Sequence, residues 1–314
     1  MSKTKQKIKY LWFLAALAAA LLAAPNGMAI KAASDHLDLL TLNSLRFGLI
    51  AIVTIPYVLY MWRRFNKKNF KYSIYMGICM TIAALSYSTA IHLSQASYVS
   101  IIALGMPIVF IIYSLLMTRE RVRMRSITGI SLAALGAFLV VALPIINSGS
   151  GISTEFDPLA TVFAVIDILV FPLAIIFSRK ANENGLPIMA SFGVSAVIVT
   201  IVCTIFSLVF IGPAAYAPAA SFDIAIVIFY SAIFVALIAR MLNVASYERI
   251  GSMAVSGVSY LESLLAIMLP LIILGERISI EIVIGGVLIL VGVYFVETVH
   301  NSKKHRHIRV MQHR

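Results

Sequence analysis

Three ionisable side chains lie within long apolar runs of this sequence, where a charge is energetically costly. Asp167 and Glu262 lie near the centres of two such runs, and Arg46 lies about a third of the way into another. An ionised side chain in the middle of a bilayer costs at least ~2.5–3.5 kcal/mol on insertion scales. Each of the three therefore requires a specific structural or functional explanation.

Carboxylates and a guanidinium in one place can bind complementary groups. A buried carboxylate holds a proton or a cationic amine, and a guanidinium holds a carboxylate. We expect Asp167, Glu262 and Arg46 to face a central polar cavity that suits a zwitterion. The alternative is structural: Arg46 pairs with one of the two acids to lock helices together, or its side chain snorkels to the surface.

A stripe of hydroxyl groups accompanies Glu262. At about 100° per residue its serines fall within about 60° of one another. The stripe comprises Ser252, Ser256, Ser259 and Ser263, with Tyr260 and Glu262 flanking it on opposite sides. This pattern predicts a cavity wall, although small hydroxyl residues also fill close helix contacts in membranes. Tyr260 is too large for such a contact.

The composition places these residues in a bilayer. The chain has 314 residues, of which 61% are hydrophobic and 12% charged, and its mean hydropathy is +0.97. Soluble domains have roughly 45–50% apolar and about 25% charged residues. A water-soluble globular domain is therefore excluded.

Apolar runs long enough to cross a bilayer need about 20 residues. Reading between charge clusters locates ten: Tyr10–Ile30, Leu39–Trp62, Tyr72–Ile91, Ser97–Met117, Ile127–Ile146, Leu159–Ser178, Ile188–Ile211, Ile224–Asn243, Ser252–Leu274 and Ile280–Thr298. These runs are apolar on all faces, whereas the strands of a barrel alternate. We predict an all-α polytopic membrane protein with ten transmembrane helices.

The net charge of +12 is distributed in alternate connections. The basic residues concerned are Lys3, Lys5, Lys7, Lys9, Arg63, Arg64, Lys67, Lys68, Lys71, Arg119, Arg121, Arg123, Arg125, Arg179, Lys180, Arg240, Arg249, Lys303, Lys304, Arg306, Arg309 and Arg314. Because positive loops stay inside, both termini are predicted to be cytoplasmic, in the cytoplasmic (inner) membrane of the cell. These side chains contact membrane lipid, and nucleic-acid binding is not expected.

The N-terminal lysines, an Ala/Leu run and the stretch Pro25-Asn26-Gly27-Met28-Ala29 also imitate a secretory signal peptide. Cleavage there would leave nine helices. An internal repeat favours retention, because five helices in each half require the first one.

The repeat emerges when Ser97–Val140 is aligned with Met253–Val296. The matches include a Glu-Arg pair, Glu120-Arg121 against Glu276-Arg277, followed by two glycines at equal spacing. A unit of five crossings enters its second copy from the opposite side, so the two copies are inverted. We predict two inverted five-helix repeats, residues 1–150 and residues 151–314 with a basic cytoplasmic tail. Such repeats are typical of secondary transporters.

Several motifs carry a resemblance that covers nearly the whole chain: Arg46-Phe47-Gly48, then Ala96-Ser97-Tyr98-Val99-Ser100 leading to Pro107 and Arg119-Glu120, and Pro270 through Gly275-Glu276-Arg277. With them, the sequence resembles the EamA-type ten-helix exporters of the drug/metabolite transporter superfamily. The two copies have diverged, since Thr118-Arg119 stands where the second half has Leu274-Gly275.

The resemblance implies a secondary active transporter that exports a small metabolite, often an amino acid or an amine-bearing compound, by alternating access. Its energy source would be a proton or another gradient. No phosphate loop or dinucleotide signature is present, so we do not expect this chain alone to drive transport with ATP. We expect no cofactor and no enzymatic activity. A lipid flippase and an intramembrane lipid-modifying enzyme are the alternatives. The oligomeric state, monomer or homodimer, is left open.

The fourth predicted helix contains the counterpart of the serine stripe, with Ser97, Tyr98, Ser100 and Pro107. Prolines and glycines within spans can break helices and free backbone carbonyls towards a cavity. We predict hinges at Pro25, Gly27, Pro107, Pro172 and Pro270, with Pro25 and Pro172 as matched interruptions of repeat-related helices.

The remaining reactive side chains have plainer interpretations. Glu120 and Glu276 at the rims are expected to neutralise helix ends rather than to gate. Cys79 and Cys203 fall within spans and are expected to be packing residues. The tail histidines are expected to belong to a basic membrane anchor rather than a metal site: His300, His305, His307 and His313.

Overall fold

A computed structural model of the protein describes residues 3–106, 108–109, 112–113, 128–129, 131–132, 135–136, 138–140, 157–250, 252–276, 280, 282–292 and 294. The regular elements in these ranges are helical. They are α1 (Lys3–Ala23), α2 (Asn26–Ser34), α3 (Leu39–Tyr60), α4 (Lys67–Leu93), α5 (Ala96–Ala103), α6 (Pro158–Glu183), α7 (Ile188–Phe210), α8 (Phe222–Phe229), α9 (Arg240–Ile250), α10 (Ser252–Ile273) and α11 (Ile282–Gly292), with 3-10 helices at Trp62–Arg64 and Pro213–Ala220 and a π-helix at Tyr230–Ala239.

Six helical stretches in the described residues are long and apolar enough to cross a membrane. They are Tyr10–Ser34, Leu39–Tyr60, Lys67–Leu93, Pro158–Glu183, Ile188–Phe210 and Phe222–Ser246. These six are the first, second, third, sixth, seventh and eighth predicted helices. α5, α10 and α11 belong to the fourth, ninth and tenth, while much of the fourth and fifth lies outside the described residues. The count of ten stays a prediction.

Capping residues explain where two helices begin. α4 starts at Lys67, earlier than expected, because Asn66 forms a capping box: its side-chain oxygen accepts hydrogen bonds from the amides of Lys68 and Asn69 at 3.0 and 2.9 Å, and Asn69 Oδ1 accepts from the Asn66 amide at 2.8 Å. α6 starts at Pro158, whose missing N–H costs nothing at the first helical position. Asp157 caps it by accepting from the Leu159 amide at 2.8 Å.

The eighth predicted helix continues further than expected. α8, the π-helix and α9 follow one another directly from Phe222 to Ile250. The charge pattern counted Arg240 with a connection, whereas the predicted run Ile224–Asn243 includes it; the structure places Arg240 inside this helix and inside the span that ends at Ser246. The helix continues because apolar residues flank Arg240 on both sides and neither glycine nor proline follows it before Ile250.

Helices of the two predicted halves pack against each other throughout the interior. α4 packs along α6 and α7, and α3 packs along α7. Glycines permit the closest approaches: a Cβ at Gly77 would lie 2.6 Å from Ile198 Cδ1, and one at Gly193 would lie 2.6 Å from Val58 Cγ2. Cys79 is half-buried in α4, and Cys203 is buried in α7.

The repeat glycines meet where the fifth and tenth predicted helices cross. A Cβ at Gly136 would lie 2.5 Å from the Gly285 carbonyl oxygen, and one at Gly285 would lie 2.8 Å from the Gly136 carbonyl oxygen. The two backbones are therefore in direct contact at this point. Gly285 is the residue that the repeat aligns with Gly129, so a repeat glycine of each half lies at this contact.

The bundle has two ends, which we name after one residue each. At the Arg64 side, the turns after α3 and after α6 are joined by Asn66 and Asn69, whose side chains donate to the Asn184 carbonyl at 3.1 and 3.2 Å. At the opposite, Lys31 side, α2 and α4 end and α3, α5 and α6 begin. Thr41 of α3 is bonded there to Ser207 of α7 at 2.7 Å.

Candidate functional site

The first span is broken near its Lys31 side. α1 ends at Ala23 and α2 begins at Asn26, with Pro25 between them. Proline has no N–H and cannot continue the helical ladder, so carbonyls of the preceding turn lose their usual partners. The carbonyl of Leu22 accepts instead from the Tyr230 hydroxyl at 2.7 Å. The interruption predicted at Pro25 is present, and it faces the π-helix.

Asn26, directly after the break, links three helices. Its side-chain oxygen accepts from the Ser231 hydroxyl of the π-helix at 2.9 Å, and its side chain is also hydrogen-bonded to the Tyr87 hydroxyl of α4. Gly27 keeps this region narrow, because a Cβ there would lie 3.6 Å from the Tyr87 hydroxyl oxygen. The break therefore places the Asn26 side chain beside the Tyr87 hydroxyl in the bundle interior.

Tyr87 lies within electrostatic reach of the three charges predicted from the sequence. Asp167, Glu262 and Arg46 are all near enough to act electrostatically on its hydroxyl. We call Asn26, Tyr87, Arg46, Asp167 and Glu262 the central cluster. Its members come from α2, α4, α3, α6 and α10, so five helices contribute to one polar region.

Arg46 is buried, with 7% of its surface exposed. Among the described residues its hydrogen-bond partner is Asn43, whose side-chain oxygen accepts from Nη1 at a long 3.4 Å. Nε is enclosed without a partner. No ion pair joins Arg46 to Asp167 or to Glu262. Most of the hydrogen-bonding capacity of this guanidinium is therefore unused.

The two acids are also unpaired. Asp167 is 6% exposed and Glu262 is half-buried, yet neither accepts a hydrogen bond from any described residue. The only fully enclosed polar side-chain atoms without a partner in the described part are Arg46 Nε and Ser246 Oγ. The carboxylate oxygens therefore border space that a water-sized molecule can enter.

This arrangement can bind a small polar molecule. Unpaired charges are expensive inside a protein unless a ligand or water satisfies them. The central cluster offers carboxylates for a cation or proton, a guanidinium for an anion, and an amide and a phenol that donate and accept hydrogen bonds.

The serine stripe lies only in part within the described side chains. Ser263, beside Glu262 on α10, is half-buried and has an interaction partner. The backbone of Ser256, Ser259 and Tyr260 is helical, but their side chains lie outside the described residues, as does Pro107 altogether. The cavity-wall role of these residues stays a prediction.

Tyr98 and Ser100 of the fourth predicted helix lie in the core. The Tyr98 hydroxyl is bonded to Thr161 Oγ1 at 2.9 Å and donates to the Val140 carbonyl at 3.4 Å. The Ser100 hydroxyl donates to the Ala96 carbonyl of its own helix at 2.8 Å. These contacts tie the start of α5 to its neighbours, and the predicted site role of Tyr98 and Ser100 stays a prediction.

The predicted hinges differ in their geometry. α6 runs through Pro172 without interruption, so the expected match with the break at Pro25 is absent. Pro172 is buried where α6 packs along α4, and this packing holds the helix despite the one missing N–H. Pro270 also lies within a continuous helix, near the end of α10.

Two charged side chains, Lys31 and Glu276, bind helix ends at the Lys31 side, and we call them the clasp. The Lys31 ammonium donates to the carbonyls of Ile91, His92 and Ser94 at 3.1, 3.0 and 3.0 Å, which satisfies the free carbonyls at the end of α4. Positive charge at a helix C-terminus is favourable for the same reason.

Glu276 completes the clasp from the other half of the chain. Its two carboxylate oxygens accept from the amides of Ala96 and Ser97 at 2.9 Å each, and also from the Ser97 hydroxyl. Gly275, with a φ of 66°, makes the turn after α10 that allows this contact, since glycine adopts that conformation without strain. Glu276 thus neutralises the helix end of α5, as predicted. Glu120 and the tail histidines lie outside the described residues.

Sequence reasoning missed Asn26, Tyr87 and Ser231 as site residues. A signal existed, because each is a polar residue within an apolar run. It was weak, since uncharged polar residues are common in membrane helices and often satisfy their own backbone. Their convergence became apparent only from the contacts between helices.

Long apolar helices that enclose an internal polar region define a class, the helical membrane proteins with several spans. The EamA-like transporter family matches residues 10–142 and 158–298. The chain therefore belongs to the EamA-like transporter family, with two EamA domains, within the drug/metabolite transporter superfamily.

Solved structures share the architecture. One protein crystal structure is similar over 92% of this chain and 97% of its own, with 16% sequence identity and a TM-score of 0.58. At that identity the likeness shows the fold alone. No curated protein matches the chain.

Proposed function

We propose that the chain is a secondary active transporter that exports a small metabolite carrying an amine and a carboxylate, such as an amino acid. The observation that carries the proposal is the set of unpaired charges in the central cluster. Asp167 and Glu262 border accessible space without a partner, and Arg46 uses one long hydrogen bond. Membership of the EamA-like family supports transport of small molecules.

In this proposal each charge has one task. Glu262 and Asp167 hold the ammonium group of the cargo or a proton that is exchanged for it. Arg46 holds the carboxylate, for which a planar guanidinium provides paired donors. Asn26 and Tyr87 orient the cargo between them. Predicted cavity residues of the stripe, Ser256 among them, would complete the wall.

Alternating access supplies the movement. We propose ten spans in two inverted five-helix units, residues 1–150 and 151–314, which rock about the central cluster. In this proposal the hydrogen bonds of Lys31 and Glu276 hold helix ends together at the Lys31 side, and they break when that side opens. Because basic residues crowd the Arg64 side, we place that side and both termini in the cytoplasm, with the protein in the cytoplasmic membrane.

The test begins with metabolites of cells with and without the protein, followed by flux of the most changed amine-bearing compound into proteoliposomes, with and without a pH gradient. We expect Glu262→Gln and Asp167→Asn each to lower flux about ten-fold or more, since hydrogen bonds to charged groups contribute roughly 1.5–3 kcal/mol. Glu183→Gln, an exposed acid at the Arg64 side, is the matched control. Wild-type flux in both central variants would contradict the proposal.

A lipid flippase is the second candidate, favoured by one observation. An apolar cavity of about 460 Å³ opens between α3 and the region around α8. Its lining is Leu45, Leu49, Ala219, Phe222, Ala225, Ile226, Ile228 and Phe229, which suits an acyl chain. Movement of a labelled phospholipid rather than a soluble amine in the same proteoliposomes would favour this alternative.

A further inference from the structure

A second guanidinium within a membrane span lies between the central cluster and the Arg64 side. Arg240 is half-buried within the span Phe222–Ser246. Its guanidinium carbon lies 5.1 Å from the ring centroid of Phe192 and 5.6 Å from that of Phe171. Two aromatic rings from two other helices, α7 and α6, therefore hold the guanidinium by cation–π contacts.

The hydrogen-bond donors of Arg240 are unused. No described residue accepts a hydrogen bond from its three nitrogens, and no carboxylate pairs with it. None of the nitrogens is among the fully enclosed, unpartnered atoms of the described part. They therefore border accessible space. Rings that contact the guanidinium do not consume its N–H donors, which lie in the guanidinium plane.

The direction of the side chain argues against snorkelling to the surface. Side chains in a helix lean towards its N-terminus, and this helix starts at the Lys31 side, where the preceding 3-10 helix is bonded to α3 through Tyr216 and Ser44. Arg240 therefore leans towards the middle of the bundle, as its contact with Phe171 confirms. Phe171 follows Asp167 by one helical turn on α6.

We propose that Arg240, held by Phe171 and Phe192, is a second anion-binding site, on the route between the Arg64 side and the central cluster. It would take an oxyanion, a carboxylate or a phosphate, of the cargo before the cargo reaches Asp167. Guanidinium binds such groups through two parallel hydrogen bonds, which a lysine ammonium cannot reproduce. The inference rests on the proposed function, because a route for cargo exists only in a transporter.

The experiment uses the full chain in phosphatidylcholine nanodiscs and follows thermal unfolding with sodium benzoate at constant ionic strength. Arg46→Gln removes the cation of the central cluster, so any rise in Tm that benzoate still causes in this variant can be assigned to Arg240. We expect Arg46→Gln to keep a benzoate-dependent rise in Tm, and Arg46→Gln with Arg240→Gln to lose at least ten-fold in benzoate affinity. Benzylammonium chloride should give no effect that depends on Arg240.

Three results would overturn the inference. Loss of all benzoate binding in Arg46→Gln alone would leave the central site as the sole anion site. Equal binding with and without Arg240→Gln would exclude Arg240. The third result concerns phosphatidylglycerol added to the nanodisc. If it raised the Tm of wild type but not of Arg240→Gln, and benzoate did not compete with it, the occupant would be a lipid headgroup rather than cargo.

Two further measurements keep the outcome clear. If Arg240→Gln fails to fold, Arg240→Lys in the Arg46→Gln background is used instead, because it keeps the charge. We expect it to bind benzoate several-fold more weakly. Unchanged affinity would contradict the two parallel hydrogen bonds from the guanidinium. Flux in proteoliposomes is measured separately. If flux is absent but benzoate binding still depends on Arg240, the proposed transport function is refuted and the anion site is not. If flux is normal but benzoate binding does not depend on Arg240, the anion site is refuted and the transport function is not.

Discussion

The contact of Glu276 with α5 predicts how the Lys31 side is held closed. Glu276→Ala removes an acceptor for the amides of Ala96 and Ser97 and for the Ser97 hydroxyl. These groups belong to the first turn of α5, where amides have no partner within the helix. The contact joins α10 to α5, and therefore one predicted half of the chain to the other.

The magnitude follows from the number and type of bonds lost. Hydrogen bonds to a charged group contribute roughly 1.5–3 kcal/mol each. Glu276 is half-buried, so water can replace its carboxylate at these amides, and the loss resembles removal of a helix cap at ~0.5–2 kcal/mol. We expect about 2 kcal/mol for Glu276→Ala, or roughly a 30-fold change in the open fraction, since ~1.4 kcal/mol is ten-fold. Glu276→Gln keeps one acceptor oxygen and should cost about 1 kcal/mol.

Hydrogen–deuterium exchange in nanodiscs measures this opening directly. Exchange of the amides of Ala96 and Ser97 should accelerate about 30-fold in Glu276→Ala and about five-fold in Glu276→Gln. The amides of Lys68 and Asn69, capped by Asn66 at the opposite side, serve as the internal control. Unchanged exchange at Ala96 and Ser97, or equal acceleration at both ends, would show that Glu276 does not hold this side closed.

Two further predictions concern the packing that supports the site. Gly193→Ala should lower stability by about 1–3 kcal/mol through overpacking, because its Cβ would lie 2.6 Å from Val58 Cγ2. The control Gly48→Ala makes an ordinary contact at 3.5 Å and should change stability by less than about 0.5 kcal/mol. Equal melting temperatures for the two variants would contradict the close approach at Gly193. Tyr230→Phe removes the bond to the Leu22 carbonyl and should cost about 1 kcal/mol in thermal unfolding, while an unchanged melting curve would mean that this carbonyl is satisfied otherwise.

Much of the fold was predictable because the bilayer acts on each segment separately. A spanning segment must be apolar and must satisfy its own backbone, so α3 and α7 begin at the predicted Leu39 and Ile188. The same rule identified Arg46, Asp167 and Glu262 as unusual. The sequence left Arg240 ambiguous, because a positive charge near the end of the predicted run Ile224–Asn243 also fits a connection, and the continuous helix distinguishes the two.

The partners of the polar residues were not predictable. Tyr98 and Ser100 were expected at the cavity and are bonded within the core, while Asn26 and Tyr87 were not expected and lie in the central cluster. Nothing local to these side chains distinguishes the two pairs. The difference arises from which helices pack together.

The amino-acid sequence alone predicted the membrane location, the six long apolar helices that the structure describes, the family resemblance and the charges within apolar runs, because transfer from water to lipid is a property of each residue and its neighbours in the chain. The tertiary structure decided whether those charges are paired, what they face and which groups Glu276 binds at the Lys31 side. Those are relations between distant residues, such as Ser231 and Asn26, which are 205 positions apart, and a hydrogen bond exists only when packing brings both groups within reach.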